Sequence, residues 1–293
     1  MLKGSLVALV TPFNDDGSVN YDVLGELIEY HINNKTDGLV VLGTTGEAST
    51  MSFEEEVEVI KYSVKKVNKR VPLIIGAGSN DTLYAIKNAY EFSRLGADYL
   101  LVVTPYYNKT NEEGLVRHFE MIAEASSCPI ILYNVPGRTG MNIPVSVVER
   151  LCNNKNIIGI KEASGNISYA MLLSKYLNDD FVMFSGNDDA IVPYMSIGAS
   201  GVISVLANIA PCQTHNICKH CLDGNFDKAL KIAKDLLEVS NGLFIETNPI
   251  PVKACLNHLG FNVGGYRMPL YQMNKTNEDK LIKLIDSKRC VIF

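Results

Sequence analysis

The residues able to do covalent chemistry stand at the ends of short apolar runs. In NIIGIKEAS, from Asn156, Lys161 closes a stretch of Ile and Gly. By strand alternation it shares a face with Gly159 and Ile157, while Ile158, Ile160 and Glu162 face the other way. Tyr133 and Arg138 end the run PIILYNVPGRTG, Tyr106 and Tyr107 end VVTPYYNK, and Thr44 and Thr45 lie in GTTGEAST. A lysine amine held out of water attacks a carbonyl in its neutral form and makes an imine. Phenols can relay protons to and from the carbinolamine, and a Gly-flanked Thr-Thr turn can aim N–H groups and hydroxyls at a small carboxylate. The planar fork of Arg138 suits a second carboxylate. Taken singly, a strand-end lysine reaches to water, a buried tyrosine packs and a loop arginine is solvated. Brought together, they describe a lysine-imine lyase or aldolase for small oxo acids.

Convergence requires a fold that gathers strand ends. Eight β-branched runs begin at Ser5, Gly38, Pro72, Tyr99, Pro129, Asn156, Phe181 and Gly201. They are nearly continuous apolar segments, the pattern of parallel strands covered on both faces. Amphipathic stretches separate them. Leu24, Leu27, Ile28 and Ile32 form one stripe, and Phe53, Val57, Ile60, Val64 and Val67 another, with Glu54, Glu55, Glu58, Lys61 and Lys65 opposite. Ser52 and Glu55 make a capping box before the second. Eight strand-then-helix units predict an α/β fold, the (β/α)8 TIM barrel, whose active sites lie at the C-terminal strand ends. An open doubly wound sheet is the alternative, but GAGSND from Gly76 holds only the first two glycines of a dinucleotide fingerprint. A helix from about 207 to 222 completes the eighth unit. After it, residues 225–239, 251–259 and 277–287 read as helices, so the chain divides into a barrel over 1–224 and a C-terminal helical appendage over 225–293.

Composition narrows the partners. The chain has 293 residues, 47% hydrophobic and 20% charged, which excludes a disordered or low-complexity protein. A net charge of −5 with no basic stripe disfavours nucleic acid. No apolar run approaches a membrane span, and the stretch after Met1 is too short for a secretory signal, so a cytoplasmic protein without membrane partners is expected. Seven scattered cysteines fit buried thiols in a reducing compartment. In CQTHNICKHC, Cys212, His215, Cys218 and Cys221 are three apart and drift roughly 60° per step on a helix, so no metal site is expected. The terminal Cys290-Val291-Ile292-Phe293 has the C-a-a-X form but lacks a polybasic tract or second lipid signal, and anchoring is not expected.

GTTGE, VVTPYYNK, YNVPGRTG, GIKEASGN, SGND and NPIPVKA, in this order, carry a resemblance over essentially the whole chain. The sequence resembles the dihydrodipicolinate synthase family, within the pyruvate-dependent class I aldolase group that includes N-acetylneuraminate lyase. The resemblance implies condensation of pyruvate with L-aspartate 4-semialdehyde in diaminopimelate and lysine biosynthesis, without metal or organic cofactor. It implies that Lys161 forms the imine, that Tyr133 donates and accepts the proton at its nitrogen, and that Thr44 links Tyr133 to Tyr107. It places Thr45 on the pyruvate carboxylate, Arg138 on that of the semialdehyde and Ile203 beside bound pyruvate. The Tyr107 position is completed from a neighbouring subunit in the family, which implies a homotetramer built as a dimer of dimers.

Two positions discriminate within the group. Relatives that cleave sialic acid place non-basic residues where Arg138 stands, so a sugar-acid aldolase is the alternative and the semialdehyde is favoured. Lysine-regulated relatives carry His at the positions of Phe53 and Glu56 and Glu at the position of Tyr84, while Asn80 is retained. Loss of that charged partner implies weak or absent lysine feedback.

Overall fold

Gly4 and Gly201 sit opposite one another where the first and last strands meet, and their lack of side chains lets the sheet close. A Cβ on Gly201 would stand 1.9 Å from the Gly4 carbonyl oxygen. The computed structural model describes residues 2–293. Its strands are β1 (Gly4–Ala8), β2 (Gly38–Val41), β3 (Leu73–Gly76), β4 (Tyr99–Val103), β5 (Ile130–Asn134), β6 (Ile157–Glu162), β7 (Val182–Ser185) and β8 (Gly201–Ser204). All pair in parallel, each with its sequence neighbour, and β8 returns to β1 as a closed barrel. The (β/α)8 expectation holds for all eight units.

Strand alternation divides the core in two. Leu6, Val40, Ile74, Leu101, Ile131, Tyr133, Phe184 and Ile203 pack inside the barrel. Val7, Leu39, Ile75, Leu100, Leu132, Ile160, Met183 and Val202 face the surrounding helices. Each fully buried aliphatic side chain is worth about 1.5–3 kcal/mol of transfer from water, which is why both faces of every strand are apolar.

Two expectations are corrected. Ile157 does not share the inner face with Lys161. The β5–β6 register slips between Ile130 and Ile131, so Ile157 packs on the outer core and Ile158 against the inner one. An extra residue at a bulge reverses the alternation before it. On the helix Phe53–Val67 the most buried face is Glu56, Val59, Ile60, Ser63 and Val67, while Phe53, Val57 and Val64 are only partly covered. Two polar residues thus occupy positions that an apolar stripe would not assign to them. The Ser52–Glu55 capping box is present in both directions.

Leu24, Leu27 and Ile28 are buried on the helix Tyr21–Asn33. Pro211 opens the helix Pro211–Leu222, where its missing N–H costs no hydrogen bond, after a short turn at Leu206–Asn208. Cys218 and Cys221 point into the core, Cys212 donates to the Asn34 carbonyl, and His215 Nδ1 lies 2.9 Å from Asp37 Oδ2. Their separate surroundings match the predicted spread around the helix. Beyond it run the helices Phe226–Gly242, Ile250–His258 and Lys275–Ser287, each within one to three residues of its predicted span, and a short helix Arg289–Ile292 that no predicted span covers. Their apolar residues join the outer core without a break. Among the described residues no helix is long and apolar enough to cross a membrane.

Candidate active site

Lys161 and Tyr133 are register partners across β6 and β5, and Phe184 on β7 is the next partner of Lys161. The lysine is 6% exposed and the tyrosine 8%. Lys161 Nζ lies 4.4 Å from the centre of the Tyr133 ring. Ile203, on β8, belongs to the same inner cluster as Tyr133 and Phe184. The strand fits here because residue 159 is glycine: a Cβ there would meet the Val182 carbonyl oxygen at 2.3 Å. The result is an amine at the mouth of an apolar barrel, with a phenol ring against it.

Behind the amine, the buried Asp188 organises the end of β8. Its carboxylate accepts from Ser204 Oγ at 2.5 Å, Leu206 N–H at 2.8 Å and Val205 N–H at 3.0 Å. Burial pushes the Asp188 carboxyl up from its ordinary range, and these hydrogen bonds and the Lys161 charge oppose that rise. On the outer face of β6, Glu162 accepts from Asn134 Nδ2 and Ser164 N–H, both at 2.6 Å. That contact ties the ends of β5 and β6 together, and with them Tyr133 and Lys161.

The turn after β2 supplies the threonines. Its N–H groups at Gly46 and Glu47 are used within the turn, bonding to the carbonyls of Gly43 and Thr44. Those two are therefore not available to a substrate carboxylate, contrary to a turn with all its amides free. Thr45 is buried, and its Oγ1 accepts from Asn248 Nδ2 at 2.9 Å. Thr44 is exposed and lines a cavity of about 510 Å³ together with Tyr133, Arg138, Glu56, Tyr84 and Tyr106. Arg138 sits in a one-turn helix after β5, and its Nη2 donates to the Asn248 carbonyl at 2.9 Å.

Tyr107 stands apart. It is 91% exposed, with φ of 72°, on the loop beyond β4. Among the described residues no hydrogen bond joins it to Thr44 or Tyr133, so a relay through these three is not closed within one chain.

The C-terminal helices hold the turn from behind. Glu47, itself at φ 56°, accepts from Lys253 Nζ at 2.9 Å, and Lys253 also donates to the Thr11 carbonyl at 3.1 Å. Among the described residues this is the one ion pair buried on both sides. The amine lies over the Phe13 and Tyr266 rings, and burial pulls it below its ordinary value against the Glu47 charge. Arg267 adds its backbone N–H to Glu47 and its guanidinium to both oxygens of Glu55.

The chain matches the profile of the Dihydrodipicolinate synthetase family over residues 1–288. The chain belongs to this family. It is 52% identical over 281 residues to 4-hydroxy-tetrahydrodipicolinate synthase 1 of Clostridium acetobutylicum, covering 96% of each chain. Among solved structures, the dihydrodipicolinate synthase of Aquifex aeolicus superposes with a TM-score of 0.96 at 41% identity, over 98% of each chain. The chloride-inhibited synthase of Acinetobacter baumannii, crystallised with pyruvate, gives 0.96 at 41% identity over 99% of each.

Of the residues expected from sequence, the structure sets Lys161 against Tyr133 and packs Ile203 in the cluster that holds Tyr133, while Thr44, Tyr133 and Arg138 line one cavity that Lys161, Thr45 and Ile203 do not line. Sequence reading gave no role to Asn248, Lys253, Glu47 or Asp188, although NPIPVKA, GTTGE and SGND contain them. A lysine in a helix with Ile250, Val252, Cys255 and Leu256 around it was the available signal, since a charge surrounded by apolar neighbours needs a buried partner. Glu56 was missed as a buried group. One of its oxygens has no partner among the described residues, and burial pushes its carboxyl up to about 7.

Proposed function

We propose that this chain condenses pyruvate with L-aspartate 4-semialdehyde, the reaction of a 4-hydroxy-tetrahydrodipicolinate synthase. The observation that carries the reading is the buried Lys161 amine against the Tyr133 ring at the C-terminal mouth of the barrel. Lys161 Nζ adds to the keto carbon of pyruvate, and the carbinolamine loses water to give an imine. Loss of a methyl proton makes the enamine, whose carbon bonds to the aldehyde carbon of the semialdehyde. The semialdehyde's own amine then adds to the imine carbon, closes the ring and displaces Lys161.

The remaining groups have parts in this scheme. Tyr133 moves protons at the imine nitrogen, Thr45 donates to the pyruvate carboxylate and Ile203 walls the bound pyruvate. Arg138 receives the second carboxylate, and Thr44 with Tyr107 carries protons away from Tyr133. The imine is itself the electron sink, so the scheme calls for no metal or organic cofactor. The helical unit of residues 225–293 serves the barrel of residues 1–224 by supplying Asn248 and Lys253.

Self-association belongs to the same reading. A Tyr107 that is 91% exposed, following an exposed Tyr106 in the chain, suits a face covered by another copy. A homotetramer, as a dimer of dimers, in the cytoplasm is the assembly proposed, and sedimentation velocity measures it. The activity is tested by turnover of pyruvate with aspartate semialdehyde against turnover with a sugar aldehyde. Faster use of the semialdehyde supports the reading, and preference for the sugar transfers the chain to the sugar-acid aldolases.

A further inference from the structure

Asn248 joins the two positions read above as carboxylate sites. Its side-chain Nδ2 donates to Thr45 Oγ1 at 2.9 Å, and its main-chain carbonyl accepts from Arg138 Nη2 at 2.9 Å. Asn248 is 5% exposed and Thr45 is 3% exposed. A threonine hydroxyl has one proton and two lone pairs. With one lone pair turned to the Asn248 amide, its proton points elsewhere, and among the described residues no acceptor takes it. That leaves the proton free for a substrate carboxylate.

The support for Asn248 is rigid. Five residues on, Lys253 is anchored to Glu47, which lies two residues after Thr45. The buried pair therefore pins the segment that carries Asn248 against the turn that carries Thr45. The main-chain contact to Arg138 depends on where Asn248 sits and not on its side chain. The side chain therefore governs one carboxylate, and the backbone the other.

We propose that Asn248 is a positioning residue for substrate specificity, orienting the Thr45 hydroxyl to donate to the pyruvate carboxylate while its carbonyl stations Arg138 for the second carboxylate. The proposal rests on the synthase reading of Lys161, Thr45 and Arg138. Loss of one oriented hydrogen bond corresponds to about a tenfold change in binding. Asn248→Ala should therefore raise KM for pyruvate about tenfold, with KM for the semialdehyde and kcat at saturating pyruvate within about threefold. Asn248→Asp can only accept, so it draws the Thr45 proton onto itself and sets a negative charge near the substrate's own. Its pyruvate KM should rise further, by about a hundredfold.

The test is a double-mutant cycle in steady-state kinetics with Thr45→Val. If Asn248 acts through Thr45, Asn248→Ala adds nothing to pyruvate KM once the hydroxyl is gone. Pyruvate KM unchanged in Asn248→Asp, or single effects that multiply in the double variant, overturns the proposal. Borohydride trapping at saturating pyruvate reports whether each variant remains folded and able to form the imine. Should Asn248→Ala fail to fold, Asn248→Ser carries the same cycle. A wild-type protein that traps no pyruvate overturns the synthase reading itself, whereas trapping with an undisturbed KM in the variants overturns only the role of Asn248.

Discussion

Lys161 Nζ lies 4.4 Å from the centre of the Tyr133 ring, and the two residues are paired directly across neighbouring parallel strands. Because they share one register position, neither can move along its strand without breaking the ladder that closes the barrel. The ring covers the amine, and burial of both side chains keeps bulk water from competing with a carbonyl for the amine.

Tyr133→Phe separates the covering ring from the hydroxyl. The ring survives, so pyruvate should still be trapped on the protein, while kcat should fall on the order of 10² to 10⁴ if the hydroxyl moves the proton. Steady-state kinetics beside trapping distinguishes the two parts. A wild-type kcat removes the hydroxyl from the mechanism.

Lys253→Met should destabilise the fold by about 3–5 kcal/mol, because it leaves the buried Glu47 carboxylate without its partner. Adding Glu47→Gln removes that charge and should recover part of the loss. Chemical denaturation of the single and double variants makes the comparison. Equal stability of the single variant and the wild type would mean that the pair does not hold the threonine turn.

Glu56 predicts a pH dependence of stability. Its carboxyl stands at about 7 in the fold, raised by burial from an ordinary 4.5. Between these values the folded chain binds more protons than the unfolded chain, so this contribution is full below the lower value and is lost as pH rises through the higher one. Relative to Glu56→Gln, the wild type should lose about 1 kcal/mol per pH unit across that window. Melting temperatures of both proteins from acid to neutral pH show whether the gap widens in that direction. A constant gap contradicts it.

Lysine feedback should be weak or absent. Tyr84 and Glu56 line the cavity where regulated relatives carry Glu and His, and burial of Glu56 leaves its charge only partly available near neutral pH. Initial rates with millimolar lysine should match those without it, and strong inhibition would overturn the expectation.

The strands were legible because both their faces are buried, which writes each one as a continuous apolar run. Lys161 was legible only through its company, because a strand-end lysine alone reaches to water, whereas Tyr133, Arg138 and the Thr44–Thr45 turn stand at the ends of other such runs. The slip that moves Ile157 outward was not, since it arises from the pairing of β6 with β5 and leaves β6 itself unchanged in composition. Glu56 was obscured in the same way: helical spacing identified a stripe of apolar residues, while the packed face runs through Glu56, Val59, Ile60, Ser63 and Val67, with Glu56 alone of these reaching the cavity. Asn248 and Lys253 bond to Thr45 and Glu47 across 203 and 206 residues of chain. Such contacts depend on how the C-terminal helices return to the barrel mouth. Local periodicity carries no record of them.

The central claim is that Lys161 forms an imine with pyruvate. The most direct measurement is mass spectrometry of the peptide containing Lys161 after treatment with pyruvate and borohydride. A reduced pyruvate adduct on Lys161, absent without pyruvate and absent in Lys161→Ala, is expected. An unmodified Lys161, or an adduct carried on another lysine, would contradict the claim.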